Sequence, residues 1–293
     1  MNMEGKKRQN IRELLQEYGF HFKKKWGQNF IFDLNLLRRI VDTAGIKAGD
    51  RVVEIGPGAG TLTRALLEKG AQVLAIEIDA TLLPVLEKVL EGTSGVVVQG
   101  DVLKLNLDEI TAAYNLAHPY KVVANLPYYI TTPVIMSLLE NRYQIEDIVV
   151  MVQKEVAERL TAAPGTKEYG AVTLAVEYYA EAEILFKIPR RVFTPVPEVD
   201  SALLRIKPKA VSPPGTAKNP REELLFKIIK AAFGQRRKTL LNSLSSLKEG
   251  INKEKIVEIL AKAGISPQTR GEALTLDQFR QIADVWANFI KQE

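Results

Sequence analysis

Glu54-Ile55-Gly56-Pro57-Gly58-Ala59-Gly60 follows a short β-branched run and precedes a helical pattern, so its glycines would let backbone amides approach a ligand at a helix N-terminus. Two ligands suit such a loop. A dinucleotide wants glycines spaced G-x-G-x-x-G with its diphosphate on the helix, but here the third glycine comes one residue early and an acid precedes the first. That acid would repel a diphosphate and suits a sulfonium cofactor carrying a free ammonium, so the loop favours S-adenosyl-L-methionine while leaving the dinucleotide open. Glu77 stands nineteen residues after Gly58, close to the offset of about 20 at which an acid accepts from ribose hydroxyls, and fits either nucleoside. Asp101, in Gly100-Asp101-Val102, is placed to accept from an adenine amino group, or else serves as a turn or cap aspartate.

The element that discriminates is Asn125-Leu126-Pro127-Tyr128. An aromatic amino group is a poor nucleophile because its lone pair is delocalised, and methyl transfer requires its nitrogen to become tetrahedral. Acceptors aimed at its protons favour that change. The Asn125 side-chain oxygen and the Leu126 carbonyl, held outward by the rigid Pro127, would supply two, and the Tyr128 ring would offer a stacking face to an extruded base. No covalent nucleophile is required. The chain has no cysteine, which removes disulfides, thiolate metal sites and the thiol attack that methylation of a pyrimidine C5 normally needs. Neither of the two histidines, His21 and His118, has a second metal ligand at suitable spacing, so no metal site is expected.

These residues must be held by a scaffold, and the chain shows one. Seven β-branched runs read as strands, at 51–55, 72–78, 96–99, 121–125, 147–152, 183–188 and 201–206. The first five alternate with helical patterns such as Thr61 to Lys69 and Thr81 to Glu91, each stopped by a glycine. That order predicts an α/β domain with a mostly parallel seven-stranded sheet and ligands beyond the carboxyl ends of its strands. The prolines of PRRVFTPVPEVD forbid a crossover helix before the last strand, which should return antiparallel beside the sixth. An amphipathic helix with Ile11, Leu14, Leu15 and Tyr18 on one face precedes the domain. Residues 208–220 are rich in Pro, Gly and Ser, and helical patterns follow at 221–233, 238–247, 253–263 and 275–290. The expected division is therefore residues 1–210 and a small all-helical domain over 218–293. No run approaches the roughly 18 apolar residues of a spanning helix, and the acids near the N-terminus do not suit a leader, so a cytoplasmic protein without membrane contact, acting as a monomer, is expected.

With these blocks in place, the chain resembles the ribosomal RNA adenine N6-dimethyltransferases, and most closely the branch acting on small-subunit (16S) RNA. The resemblance runs from about Phe22 to the C-terminus. It rests on KKWGQNF at 24–30, EIGPGAGTLT at 54–63, Glu77, Gly100-Asp101, NLPY at 125–128, FTPVPEVDS at 193–201 and FGQRRKT at 233–239. It implies a class I S-adenosyl-L-methionine-dependent methyltransferase with a Rossmann-like sheet. The cofactor would touch Asn29, Ile31, Gly56, Glu77, Asp101 and Asn125, with Ile31 where leucine is usual. The catalytic group would be Asn125, Leu126, Pro127, Tyr128 and Phe193, the last facing Tyr128 across the target base. Without the resemblance, Phe193 reads as a core aromatic in a Pro-rich turn.

The partner implied is ribosomal RNA within the small subunit or its precursor, dimethylated at N6 of two adjacent adenosines during ribosome biogenesis. Forty Lys and Arg against 35 acids give a formal net charge of +5. The basic groups Lys23-Lys24-Lys25, Arg190-Arg191 and Arg236-Arg237-Lys238 are expected to contact phosphates, which position RNA without reading its sequence. Three rival readings are an adenine N6-methyltransferase of large-subunit RNA of the antibiotic-resistance type, a non-catalytic ribosome-assembly or nucleic-acid-binding factor that keeps the fold, and a dinucleotide oxidoreductase.

Overall fold

Each β-branched run is flanked by residues that stop it, and a strand forms at every one of the seven expected places. The computed structural model describes residues 10–23, 27–210, 219–247 and 251–290. In chain order the first unit is α1 (Ile11–Glu17), β1 (Phe30–Ile31), α2 (Leu34–Thr43), β2 (Arg51–Ile55), α3 (Thr61–Glu68), β3 (Gln72–Glu77), α4 (Leu83–Leu90), β4 (Val96–Gln99), α5 (Leu107–Ala113), β5 (Tyr120–Asn125), α6 (Thr131–Glu140) and β6 (Ile145–Gln153). After α7 (Lys154–Leu160) and α8 (Ala171–Tyr179) come β7 (Ala180–Ile188), β8 (Phe193–Thr194) and β9 (Ser201–Pro208).

The main sheet has the order β4-β3-β2-β5-β6-β9-β7. Strands β2 to β6 pair in parallel, whereas β9 runs antiparallel to β6, with Ile148 opposite Ile206 and Gln153 opposite Ser201. The last strand does lie beside β7, and it also inserts between β7 and β6, a placement that periodicity does not reveal. Strand order reverses between β2 and β5, where Ile55 stands opposite Ala124. Parallel sheets bind ligands at such a switch point because the crossover helices depart to opposite faces and leave a crevice. The glycine loop and the Asn125 segment leave β2 and β5 at that crevice.

One face of the sheet is sealed by Leu37, Ile40, Val41, Leu62 and Leu66 of α2 and α3. Another cluster joins Ile11, Leu14 and Leu15 to Leu82, Val85, Leu86 and Val89. Asp33 caps α2 by accepting from the amides of Asn35 and Leu36, and Asn10 caps α1 through the amide of Arg12. Tyr18 departs from its expected place, standing 45% exposed beyond the end of α1. A second, two-stranded ribbon pairs β1 with β8, setting Phe30 opposite Thr194 and Ile31 opposite Phe193. Two-residue strands carry no periodicity, so nothing in the sequence marks this ribbon.

The chain divides into Met1–Ala157 with Glu183–Pro208, and Glu158–Ala182 with Lys209–Glu293. The first unit ends at Pro208, and residues 158–182, within the expected span 1–210, group with the second unit instead. Residues 158–182 belong with the helices α9 (Pro220–Gly234), α10 (Leu240–Leu244), α11 (Lys253–Lys262) and α12 (Leu276–Ile290). Tyr169 and Leu174 join the core of Ile228, Ile256, Phe279 and Trp286, and the Tyr169 hydroxyl donates to the Leu274 carbonyl at 2.9 Å. A buried leucine or aromatic contributes about 1.5–3 kcal/mol, enough to recruit a segment that precedes β7 in the chain. Most of the proposed linker, 211–218, lies outside the described residues.

Candidate cofactor and target-base site

The crevice at the switch point is a cavity, and every residue expected at the cofactor lines it: Asn29, Ile31, Gly56, Glu77, Asp101 and Asn125. Leu126, Pro127 and Tyr128 line it as well. Gly58 has φ +56°, and a Cβ there would lie 2.6 Å from the Phe30 ring, so both backbone shape and space require glycine. The amide of Gly58 donates to one Glu77 carboxylate oxygen at 3.1 Å and the amide of Asp79 to the other at 2.8 Å. A carboxylate offers about four acceptor sites, so with the amides of Gly58, Asp79 and Ile78 on it one still remains for a ribose hydroxyl. Burial raises the Glu77 carboxyl above the usual range, against the opposing pull of these amides.

Glu54 is the acid that the glycine loop placed before its first glycine. It lines the cavity, is 1% exposed, and its Oε2 has no hydrogen-bond partner. Burial, with the nearby Glu77 charge, pushes its carboxyl up to about 8. The Thr63 hydroxyl opposes that rise through a hydrogen bond, but a buried carboxylate with one oxygen unpartnered is costly unless a cation comes to it, and the cofactor's ammonium or sulfonium is such a cation. Asp101 is a turn aspartate, accepting from the Leu103 amide at 3.1 Å, that also faces the cavity.

At the end of β5, the Asn125 Nδ2 donates to the Asn29 carbonyl at 2.7 Å. That bond orients the amide and leaves Oδ1 as an acceptor. The Pro127 carbonyl is taken by the amide of Ile130 and the hydroxyl of Thr131, whereas no donor among the described residues reaches the Leu126 carbonyl. Two acceptors thus remain at the rim. Tyr128, half-buried, shares a 2.8 Å hydrogen bond with the hydroxyl of Ser201, itself wholly buried at the start of β9. Ser201 fixes the Tyr128 ring. Its role was not legible in sequence, although it closes a block that carried the resemblance.

Phe193 departs from the expectation. It is 2% exposed, lies outside the cavity lining, and packs in the cluster that contains Ile31, Leu37 and Leu203. In this conformation it is a core aromatic of the β1–β8 ribbon, which joins the loop bearing Phe193 to the segment bearing Asn29 and Ile31.

The basic groups divide by partner. Lys23 is tied to the 4%-exposed Asp79 at 2.8 Å, with Gln28 donating to the same carboxylate at 3.0 Å. Burial alone would raise the Asp79 carboxyl, but the bonds from Lys23, Thr81 and Gln28 hold it below its ordinary value. Lys24 and Lys25 lie outside the described residues. Arg190 staples its own loop, donating from its amide to Asp200 at 2.9 Å and from its guanidinium to the Glu198 carbonyl at 3.0 Å. Arg236 donates to the carbonyls of Lys167 and Tyr169 at 3.0 and 3.1 Å and pairs with Glu272 at 3.4 Å. Lys23, Arg190 and Arg236 therefore have structural work, whereas Arg191, Arg237 and Lys238 stand exposed.

The fold and this site define a class I methyltransferase, and solved structures agree. A dimethyladenosine transferase from Plasmodium falciparum superposes with a TM-score of 0.71 at 25% identity, covering 86% of this chain and 95% of that one. The 23S rRNA methyltransferase ErmE gives 0.64 at 27%, covering 88% and 99%. The sequence matches the ribosomal RNA adenine dimethylase family over residues 19–288, so the chain belongs to that family. A relative from Geobacillus thermodenitrificans named ribosomal RNA small subunit methyltransferase A is 48% identical over 277 residues, 93% of this chain and 94% of its own length. Membership implies a methyltransferase that uses S-adenosyl-L-methionine and sets the dinucleotide reading aside.

Proposed function

We propose that this chain dimethylates N6 of adenosines in small-subunit ribosomal RNA, two adjacent ones, acting as a monomer in the cytoplasm on the subunit or its precursor. The observation that carries the reading is the pair of acceptors at the rim, Asn125 Oδ1 and the Leu126 carbonyl. Small-subunit RNA as the target is supported by the 48%-identical relative of that name, against 27% for the large-subunit enzyme.

The cavity residues suit S-adenosyl-L-methionine. Glu77 would accept from its ribose hydroxyls, Asp101 from its adenine amino group, and Glu54 would meet its positive charge, while Asn29, Ile31, Gly56 and Asn125 also line the cavity that would hold it. When bound, the cofactor supplies an electrophilic methyl group. The chain's residues do the rest. Tyr128, oriented by Ser201, stacks on the extruded adenine. Asn125 and the Leu126 carbonyl accept from the N6 protons and favour the tetrahedral nitrogen as its lone pair becomes available. The methylated nitrogen is acidic enough to lose its proton without a strongly tuned base, and a second transfer to the same atom needs a fresh cofactor molecule in place of the spent one. Phe193 would join Tyr128 at the base only after leaving its buried position.

The direct test supplies isotope-labelled S-adenosyl-L-methionine and undermethylated small subunits, then identifies the modified nucleoside by mass spectrometry. Labelled N6,N6-dimethyladenosine in small-subunit RNA is the expected product. Label confined to large-subunit RNA, or absent from adenosine, would overturn the reading.

A further inference from the structure

A second concavity lies beside the cofactor crevice, and Thr61 at the start of α3 lines both. Its volume is about 830 Å³. Four arginines, Arg12, Arg38, Arg64 and Arg191, reach it from four separate segments, against two acids, Asp33 and Glu68. Asp33 is already engaged as the cap of α2, where the helix N-terminus offsets its charge. The Arg12 guanidinium lies 4.3 Å from the centre of the Phe32 ring, which presents it as a flat, ordered donor. Arg12, Arg38 and Arg191 are exposed, and neither Arg38 nor Arg191 makes an ion pair among the described residues. Arg191 sits between the stapled Arg190 and Phe193, so the loop that bears it is fixed.

Convergence of separate elements distinguishes this groove from an ordinary solvated face. Guanidinium groups pair bidentately with phosphate, and three exposed ones, Arg12, Arg38 and Arg191, converging from separate segments suit a chain of phosphates better than a protein surface of mixed sign. Strands β1 and β8 form the wall between groove and crevice: Phe30 and Ile31 line the crevice, while Phe32 and Thr194 line the groove. Thr61, common to both linings, sets one end of the groove beside the crevice.

We propose that this groove seats the RNA backbone flanking the target adenosines, through phosphate contacts to Arg12, Arg38 and Arg191. The proposal rests on the RNA-methyltransferase reading above. It adds a docking track within the first unit, made largely of residues that no basic run in the sequence marks.

The test uses the full chain, undermethylated small subunits and the double variant Arg38→Gln/Arg191→Gln. At physiological salt the KM for subunits should rise about tenfold, and the slope of log affinity against log salt should fall by about 1.4–1.8, the share of two phosphate contacts. The S-adenosyl-L-methionine Kd, by calorimetry, and the single-turnover rate at saturating subunits should stay within twofold. The Arg38→Lys/Arg191→Lys variant should recover most of the salt slope. An unchanged KM and slope with an active wild type would overturn the groove and spare the methyltransferase reading. A wild type that transfers no methyl to RNA would overturn both. Inhibition by inorganic phosphate beyond its ionic-strength effect would make this a small-anion site and overturn the backbone assignment.

Discussion

Replacing Glu54 by glutamine keeps the side chain's shape and removes its charge, and the structure states what that should do. Burial raises the carboxyl from 4.5 to about 8. Because the folded value is the higher, the folded protein holds a proton that the unfolded chain has released. The associated stability is complete below pH 4.5 and is lost progressively as pH rises towards 8. At about 1.4 kcal/mol per unit, the loss in wild type approaches roughly 5 kcal/mol above pH 8 and about 3 kcal/mol at pH 7. Glu54→Gln should escape it. Thermal melts of the cofactor-free proteins from pH 5 to 9 should show equal stability near pH 5 and a variant melting several degrees higher above pH 7. The same charge should matter in reverse for S-adenosyl-L-methionine. A cation near the carboxylate favours its ionised form, so wild-type binding should tighten as pH rises from 7 to 8, and the variant should bind more weakly without that dependence. Melting curves that run parallel across the whole range would refute the claim that Glu54 is held protonated, and with it the account of the orphaned oxygen.

The remaining expectations concern the rim and the second unit. Asn125→Ala should lower the single-turnover rate at saturating RNA and cofactor by about 10²-fold, the scale for removing one group that acts mainly in the transition state; a wild-type rate would reduce this residue to positioning. Ser201→Ala leaves the half-buried Tyr128 hydroxyl without its partner and should raise the KM for RNA with a stability loss of about 1 kcal/mol, and no change in either would remove Ser201 as the ring's support. Arg236→Ala should destabilise the helical unit by about 1–3 kcal/mol in denaturant unfolding, because two carbonyls and Glu272 lose a charged donor. Unchanged stability with weaker, less salt-sensitive RNA binding would return Arg236 to the phosphate contacts.

Much of this molecule is legible in its residues because the signals are local. Strand-forming runs announce themselves by side-chain type, the glycine loop by spacing, and Asn125-Leu126-Pro127-Tyr128 by its place at a strand end. Each needs only neighbours in sequence, so the seven strands and the four C-terminal helices could be anticipated, whereas Asn29 and Ile31 were placed at the cofactor only by the family resemblance. Where a feature depends on a partner distant in the chain, the sequence is silent. Whether a cation is available for RNA is such a feature: Lys23 meets Asp79, and Arg236 meets the carbonyls of residues 167 and 169, pairings that only folding creates. The same holds for residues 158–182, whose apolar side chains could have covered either core and are claimed by the helical one. It holds for the β1–β8 ribbon, too short for periodicity, which buries Phe193 and brings Asn29 to Asn125. Composition and spacing determined which chemistry this chain can perform and where its strands begin and end. Tertiary structure alone decided which charges are paired, which ring is buried and which acid is held away from water, because those depend on desolvation and on contacts between segments far apart in the chain.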